Sequence, residues 1–225
     1  MIGRIKEKFK KAFGPVARVL GRTGVPPNLL TILGPIIAVF AALFYIWQDL
    51  LAALLLLLLS SFVDALDGAV ARAQNRTTPF GGVLDSVCDR YSDAIVLFGI
   101  ILGGWLSSAW GPLWGILALV GSLMVSYARA RAEAAGVSQL GVGIAERPER
   151  LIILMVVTLL EYLTLNGLLF APPVFFGVSL WLEYGIILIA ILAHITVAQR
   201  TIAAYRALAR QSKEQEQQPE SEGTA

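Results

Sequence analysis

"LAALLLLLLSSFVDALDGAVAR", residues 51–72, begins as a run that only a bilayer or a deep core accepts and ends in two carboxylates and an arginine. A membrane-spanning helix needs about 20 mostly apolar residues, and this stretch has that length. The rest of the chain agrees. Hydrophobic residues make up 56% of the 225, charged residues only 15%, and mean hydropathy is +0.70, which leaves too little polar surface for a soluble domain of this size. Further candidate spans lie near 29–47, 81–105, 111–133, 148–170 and 174–206. Together they predict an all-α integral membrane protein with six transmembrane helices. Only helices and closed barrels satisfy their backbone polar groups in lipid, and these runs do not alternate as barrel strands do.

The basic residues sort to one side of such a bundle. Arg4, Lys6, Lys8, Lys10, Lys11, Arg18 and Arg22 precede the first span. Arg72, Arg76 and Arg90 flank the second loop, Arg129, Arg131, Arg147 and Arg150 the fourth, and Arg200, Arg206, Arg210 and Lys213 close the last span. The other three loops carry none. By the positive-inside rule both termini and the arginine-rich loops face the cytoplasm of a multi-pass protein in the cell membrane.

Residues 1–25 predict an N-terminal cytoplasmic interfacial amphipathic helix, because Ile2, Ile5, Phe9, Phe13, Val16 and Leu20 recur at three- and four-residue steps between lysines. "GVPPNLLT" then breaks the chain, with Asn28 placed to cap the first span. Residues 26–210 form one six-helix domain on this reading, and 211–225, "QSKEQEQQPESEGTA", a disordered cytoplasmic tail. The single cysteine, Cys88, excludes an intramolecular disulfide. No cleavable signal peptide is expected. "GVGIA" at 141–145 lacks the strand and third glycine of a nucleotide-binding turn, and no nucleic-acid partner is expected. Trp47, Trp105, Trp110, Trp114 and Trp181 fall near span ends, as an interfacial belt would, and His194 is expected to hydrogen-bond another helix.

The acids of residues 64–67 have counterparts in "GGVLDSVCDRYSD", 81–93. On the first helix Asp64, Asp67, Gly68, Ala71 and Arg72 share a face; on the second Gly81, Asp85 and Asp89 do, with Asp93 one turn further. If the two helices form an antiparallel hairpin through "AQNRTTPF", Asp64 comes level with Asp89 and Asp67 with Asp85. Four gathered carboxylates repel one another and need protons, basic side chains or metal ions to coexist. All-oxygen donors with no His or Cys site beside them favour Mg²⁺ or Mn²⁺, and two ions would suit an in-line phosphoryl displacement. A purely structural acid network is the alternative, although acids within a membrane are expensive and usually functional. A divalent-cation transporter is another, but "LAALLLLLLSSFV" and "AIVLFGIILGGW" offer no polar route across the bilayer.

The pattern D-x2-D-G-x2-A-R-x8-G-x3-D-x3-D runs without a gap from Asp64 to Asp89 and resembles the signature of the CDP-alcohol phosphotransferases. The resemblance implies transfer of a phosphatidyl-type group from a CDP-linked lipid, CDP-diacylglycerol or CDP-archaeol, to an alcohol with release of CMP. It implies that Asp64, Asp67, Asp85 and Asp89 bind two metal ions and that Asp89 is also the general base. Cytidine would lie against Gly68 and Ala71, with Arg72 near the diphosphate and Gly81 opposite. "PPNLLT" resembles the family's nucleotide-side segment and implicates Asn28 and Thr31. A homodimer is implied by the family alone. Several arginines near one acid site suggest an acceptor that carries phosphate. "SYARARAEA" and "ERPERLII" are similar to segments of the phosphatidylinositol phosphate and archaetidylinositol phosphate synthases, whose acceptor is inositol 1-phosphate. By that resemblance Ser126, Arg129, Arg131 and Arg200 hold its phosphate, although those relatives often carry lysine where Arg129 stands. Glycerol 3-phosphate is the other acceptor of this kind.

Overall fold

The computed structural model describes residues 24–137, 142–172, 174 and 180–217. The interfacial helix expected over 1–25 lies, but for its last two residues, outside the described residues. Six helices follow: α1 (Pro27–Ile46), α2 (Leu50–Ala73), α3 (Pro79–Leu102), α4 (Gly111–Ala134), α5 (Arg147–Leu165) and α6 (Trp181–Gln217). No strand occurs among the described residues.

Proline sets several of the starts. Pro27 and Pro79 open α1 and α3, and prolines also stand in the first turns of α4 and α5, where the missing N–H costs nothing and φ is already helical. Asn28 therefore does not cap α1 as expected. Pro27 begins the helix two residues earlier than that cap would, so Pro26 takes the cap position and Asn28 falls inside the first turn. Asp49 and Thr78 cap α2 and α3, accepting from Ala52 N and Gly81 N, each at 3.0 Å.

Of the six helices, α1, α2, α4 and α6 are long and apolar enough to cross a membrane. In α3 and α5, 24 and 19 residues long, the apolar run is interrupted by Asp85, Asp89, Arg90 and Asp93, and by Arg147, Glu149, Arg150 and Glu161. Large apolar side chains are nevertheless exposed on the outside of all six, among them Leu55, Phe98, Leu123 and Ile152, a surface that lipid tolerates and water does not. The helix α6 runs to Gln217 and corrects the tail boundary set at 211. Lys213, Glu214, Gln215, Glu216 and Gln217 are good helix formers, and extending an existing helix needs no new nucleus.

The first helix α1 packs along both α2 and α3, while α4 and α5 pack on α6; contacts of α2 with α5 and of α3 with α4 join the two halves. The acid-bearing helices thus do not zip together as the hairpin expectation supposed. They flank α1. The reason is small residues on α3: a Cβ at Gly99 would come within 2.6 Å of Ala42 Cα, so α1 and α3 touch backbone to backbone. Gly121 of α4 makes room for the side chains of Ala193 and His194 of α6, and Gly185 of α6 for that of Val157 of α5. His194 Nδ1 lies 2.9 Å from Ala190 O of its own helix, rather than bonding a neighbour.

Away from the acids the core is apolar with a few fully satisfied polar ties. Tyr45, Leu57, Ile100, Leu182 and Ile186 belong to one buried cluster. Tyr45 Oη and Thr158 Oγ1 are 2.6 Å apart. Trp105, expected at the interface, is buried and donates its Nε1–H to Tyr45 O at 2.9 Å, whereas Trp47 and Trp110 are exposed. Glu183 is fully buried yet satisfied, accepting from Ser107 N at 3.0 Å and Ser108 N at 3.2 Å as well as from both serine hydroxyls. Glu161, also buried, accepts from Leu182 N at 3.1 Å and so holds the start of α6.

Candidate active site

The second half of α2 and the first half of α3 bring their acids together at one end of the bundle. Carboxylate oxygens of Asp64, Asp67 and Asp85 lie within 4.8 Å of one another. Asp67 is buried, and its Oδ2 accepts from Thr31 Oγ1 of α1 at 2.6 Å. That bond exists because α1 sits against both acid helices.

Asp89 is joined to this group through a residue of α5. Arg147 NH1 donates to Asp64 Oδ2 at 2.7 Å and lies 2.7 Å from Asp89 Oδ1. The second of these is an ion contact only: Asp89 Oδ1 is buried and has no partner in hydrogen-bond geometry. Asp89 Oδ2 is 3.5 Å from Arg90 NH1. On its other edge Arg147 donates Nε–H to Asp93 Oδ1 at 3.1 Å, and Arg150 NH2 donates to Asp93 Oδ2 at 3.2 Å. The series 85, 89, 93 sets Asp93 one turn beyond Asp89, and "ERPER" sets Arg147 and Arg150 one turn apart on a helix; what neither pattern gives is the ion pairing of Arg147 with Asp64, Asp89 and Asp93.

The donor set fits a hard divalent cation. It is all oxygen and comes from two helices, and Asp89, on the same helix as Asp85, has a buried carboxylate oxygen without a hydrogen bond. Arg147 offsets part of the negative charge through Asp64 and Asp89.

Beside the acids lies an open face. The atoms nearest a Cβ at Gly68 would be those of the Arg72 guanidinium, 3.3 Å away, so Arg72 folds over this stretch of backbone with half-buried Ala71 one turn on. At Gly81 a Cβ would stand 3.2 Å from Thr78 Oγ1 and 3.6 Å from Asn28 Oδ1. Asn28 of α1 and Gly81 of α3 therefore face each other.

The arginines expected to meet the acceptor separate into three kinds. Arg200 is buried and its fork is taken up by the protein: Nε donates to Val142 O at 3.0 Å, NH1 to Val125 O at 2.8 Å and NH2 to Glu146 Oε1 at 2.9 Å. Arg129 is exposed and pairs with Glu133 one turn away at 2.8 Å. Arg129 and Arg150 both lie near enough to act on the charge of Arg200, and half-buried Ser126 stands one turn before Arg129. Arg131 is exposed about 200° round the helix from Arg129 and is not part of this group.

Residues 25–197 match the model of a family described as CDP-alcohol phosphatidyltransferase. The chain is 39% identical over 210 residues to the archaetidylinositol phosphate synthase of Pyrococcus horikoshii, covering 92% of this chain and 98% of that one. It is 37% identical over 200 residues to the phosphatidylinositol phosphate synthase of Mycobacteroides abscessus, covering 87% and 84%. Among solved structures it is similar to the phosphatidylinositol phosphate synthase of Mycobacterium tuberculosis with CDP-DAG bound, at 34% identity and a TM-score of 0.71 over 87% of this chain and 94% of that one. The structure of that protein in complex with manganese and citrate gives a TM-score of 0.73 at 34% identity, over 86% and 88%.

Proposed function

The chain belongs to the CDP-alcohol phosphatidyltransferase family, and on that premise we propose that it transfers the phosphatidyl or archaetidyl group of a CDP-linked lipid to inositol 1-phosphate, releasing CMP. The observation that carries the acceptor is the arginine group of α4, α5 and α6, in which the charges of Arg129 and Arg150 both bear on Arg200. Guanidinium groups in that number suit a phosphorylated alcohol and would be wasted on a neutral or cationic one.

In this reading Asp64, Asp67, Asp85 and Asp89 hold two ions, Mg²⁺ or Mn²⁺. When bound, the ions offset the charge of the diphosphate and stabilise departing CMP. Thr31 turns the Asp67 carboxylate toward its partners by its 2.6 Å bond. The bare face of Gly68 and Ala71 admits the flat cytosine, Arg72 covers the diphosphate, and Asn28 and Gly81 border the ribose side. Asp89 takes the proton from the acceptor hydroxyl as its oxygen forms a bond to phosphorus and the bond to CMP oxygen breaks. Ser126 and Arg129 present the acceptor's phosphate, while Arg200 fixes the 142–146 segment that lies beside it through Val142 and Glu146. Arg131 contributes from outside this group, through its charge.

All six helices cross the membrane in this reading, with α3 and α5 carrying their charges inward. The acid end and both termini are cytoplasmic, following the arginines, and the protein works as a homodimer. The deciding assay gives purified protein Mg²⁺ and either CDP-diacylglycerol or CDP-archaeol, with inositol 1-phosphate, free inositol or glycerol 3-phosphate in parallel. CMP release with inositol 1-phosphate alone is the expected result. Release with glycerol 3-phosphate alone would replace the acceptor.

A further inference from the structure

Among the acids on the α3 face, Asp93 is bound differently from the rest. Both of its oxygens accept from arginines: Oδ1 from Arg147 Nε at 3.1 Å and Oδ2 from Arg150 NH2 at 3.2 Å. Arg150 is itself anchored, being buried and donating NH1 to Ala145 O at 3.0 Å. The opposite edge of Arg147 reaches Asp64 Oδ2 and Asp89 Oδ1, each 2.7 Å from NH1. A guanidinium is planar and rigid, so fixing Nε fixes the direction of NH1. Released at Nε, a side chain with this many torsions would spread over several rotamers.

We propose that Asp93 is a positioning residue for the transfer reaction: through Arg147 it sets the orientation of the Asp64 and Asp89 carboxylates. The proposal rests on the assignment of Asp89 as the base. Asp93 has both oxygens committed to arginine and none turned to the three-carboxylate group, so its role is indirect. A simpler clamp, which only neutralised Arg150 and tied α3 to α5, would be indifferent to the Nε–H of Arg147. That difference can be measured.

The full chain is purified and turnover is scored as CMP release with whichever acceptor the wild type uses, alongside Mn²⁺ binding followed by electron paramagnetic resonance. Asp93→Asn is expected to lower kcat about tenfold or more, with the KM for CDP-lipid and the Mn²⁺ affinity within about threefold. In an Arg147→Lys background, where the charge stays but Nε–H is gone, adding Asp93→Asn should change kcat by less than about twofold. Equal losses in both backgrounds would reduce Asp93 to a clamp. Wild-type kcat in Asp93→Asn would overturn the proposal, as would a loss of Mn²⁺ binding as large as that of Asp64→Asn, which would make Asp93 a ligand. If Asp93→Asn does not fold, Asp93→Glu keeps the charge one methylene further out; lowered kcat with unchanged Mn²⁺ affinity supports the proposal, and wild-type kcat sinks it. Wild-type turnover in Asp89→Asn would instead refute the base assignment.

Discussion

Asp89 differs from Asp64 and Asp67 in what touches it. Asp67 is held by a hydroxyl from α1 and Asp64 by a guanidinium hydrogen bond, whereas Asp89 Oδ1 is buried with only an ion contact. An oxygen left so is available to accept a proton. Asp89→Asn should lower turnover by about 10²–10⁴ while keeping more Mn²⁺ binding than Asp64→Asn or Asp67→Asn, as a Mn²⁺ titration of each variant would report. The arginines divide in the same manner. Losing one charge-assisted hydrogen bond costs about 1.5–3 kcal/mol, so Arg129→Ala should raise the KM for the acceptor about tenfold to a hundredfold and leave that for CDP-lipid alone. Steady-state kinetics with each substrate varied in turn decides this. In contrast, Arg200→Ala removes three bonds internal to the protein. It should lower the unfolding temperature as well as activity, a combination Arg129→Ala should not show.

At the scale of elements, the unexpected piece is α1. A helix lying between the two acid bearers needs close approach, and Gly99 supplies it on α3: no side chain fits against Ala42 Cα at 2.6 Å. Overpacking of this kind costs about 1–3 kcal/mol or more. Gly99→Val should accordingly lower the thermal unfolding midpoint in detergent, and Gly82→Val, where a Cβ meets nothing within 4 Å, should not. Because Thr31 rides on α1, a shift of α1 also loosens the bond to Asp67. The Gly99 variant should therefore bind Mn²⁺ more weakly even though the glycine is far from the carboxylates in sequence.

The whole molecule consists of two three-helix halves, α1–α3 and α4–α6, joined where α2 meets α5 and α3 meets α4. Acids come from the first half and most of the arginines from the second, so the site lies on the seam. Such a division suits a reaction in which a nucleotide-linked lipid and a water-borne acceptor must meet. The expected arrangement in the membrane is open to direct labelling. In a Cys88→Ser background, cysteines at Gln48, Trp110 or Leu168, exposed positions at one end, should react with an impermeant maleimide from outside the cell. Cysteines at Asn75 or Ser212 should react only once the inner face is opened. Labelling of Trp110→Cys and Asn75→Cys from the same side would mean that α3 does not cross.

The sequence by itself determined the solvent, the six helices and the identity of the four signature acids. Those depend on transfer free energy and helical periodicity, which act over neighbouring residues and can be read along the chain. It also predicted that Asp64, Asp67, Asp85 and Asp89 would converge, because residues three and four apart share a face; the first three do, and Asp89 joins them through Arg147. It could not say that α1 would stand between the acid helices, since that follows from how Gly99 meets Ala42, 57 positions away. Nor could it distinguish Arg147, inserted among the acids, from Arg200, whose donors are spent on two backbone carbonyls and Glu146. Both are arginines near a membrane face. Only the packing of distant helices decides which carbonyls and carboxylates stand within reach of each guanidinium, and so which charge is left to act on a ligand.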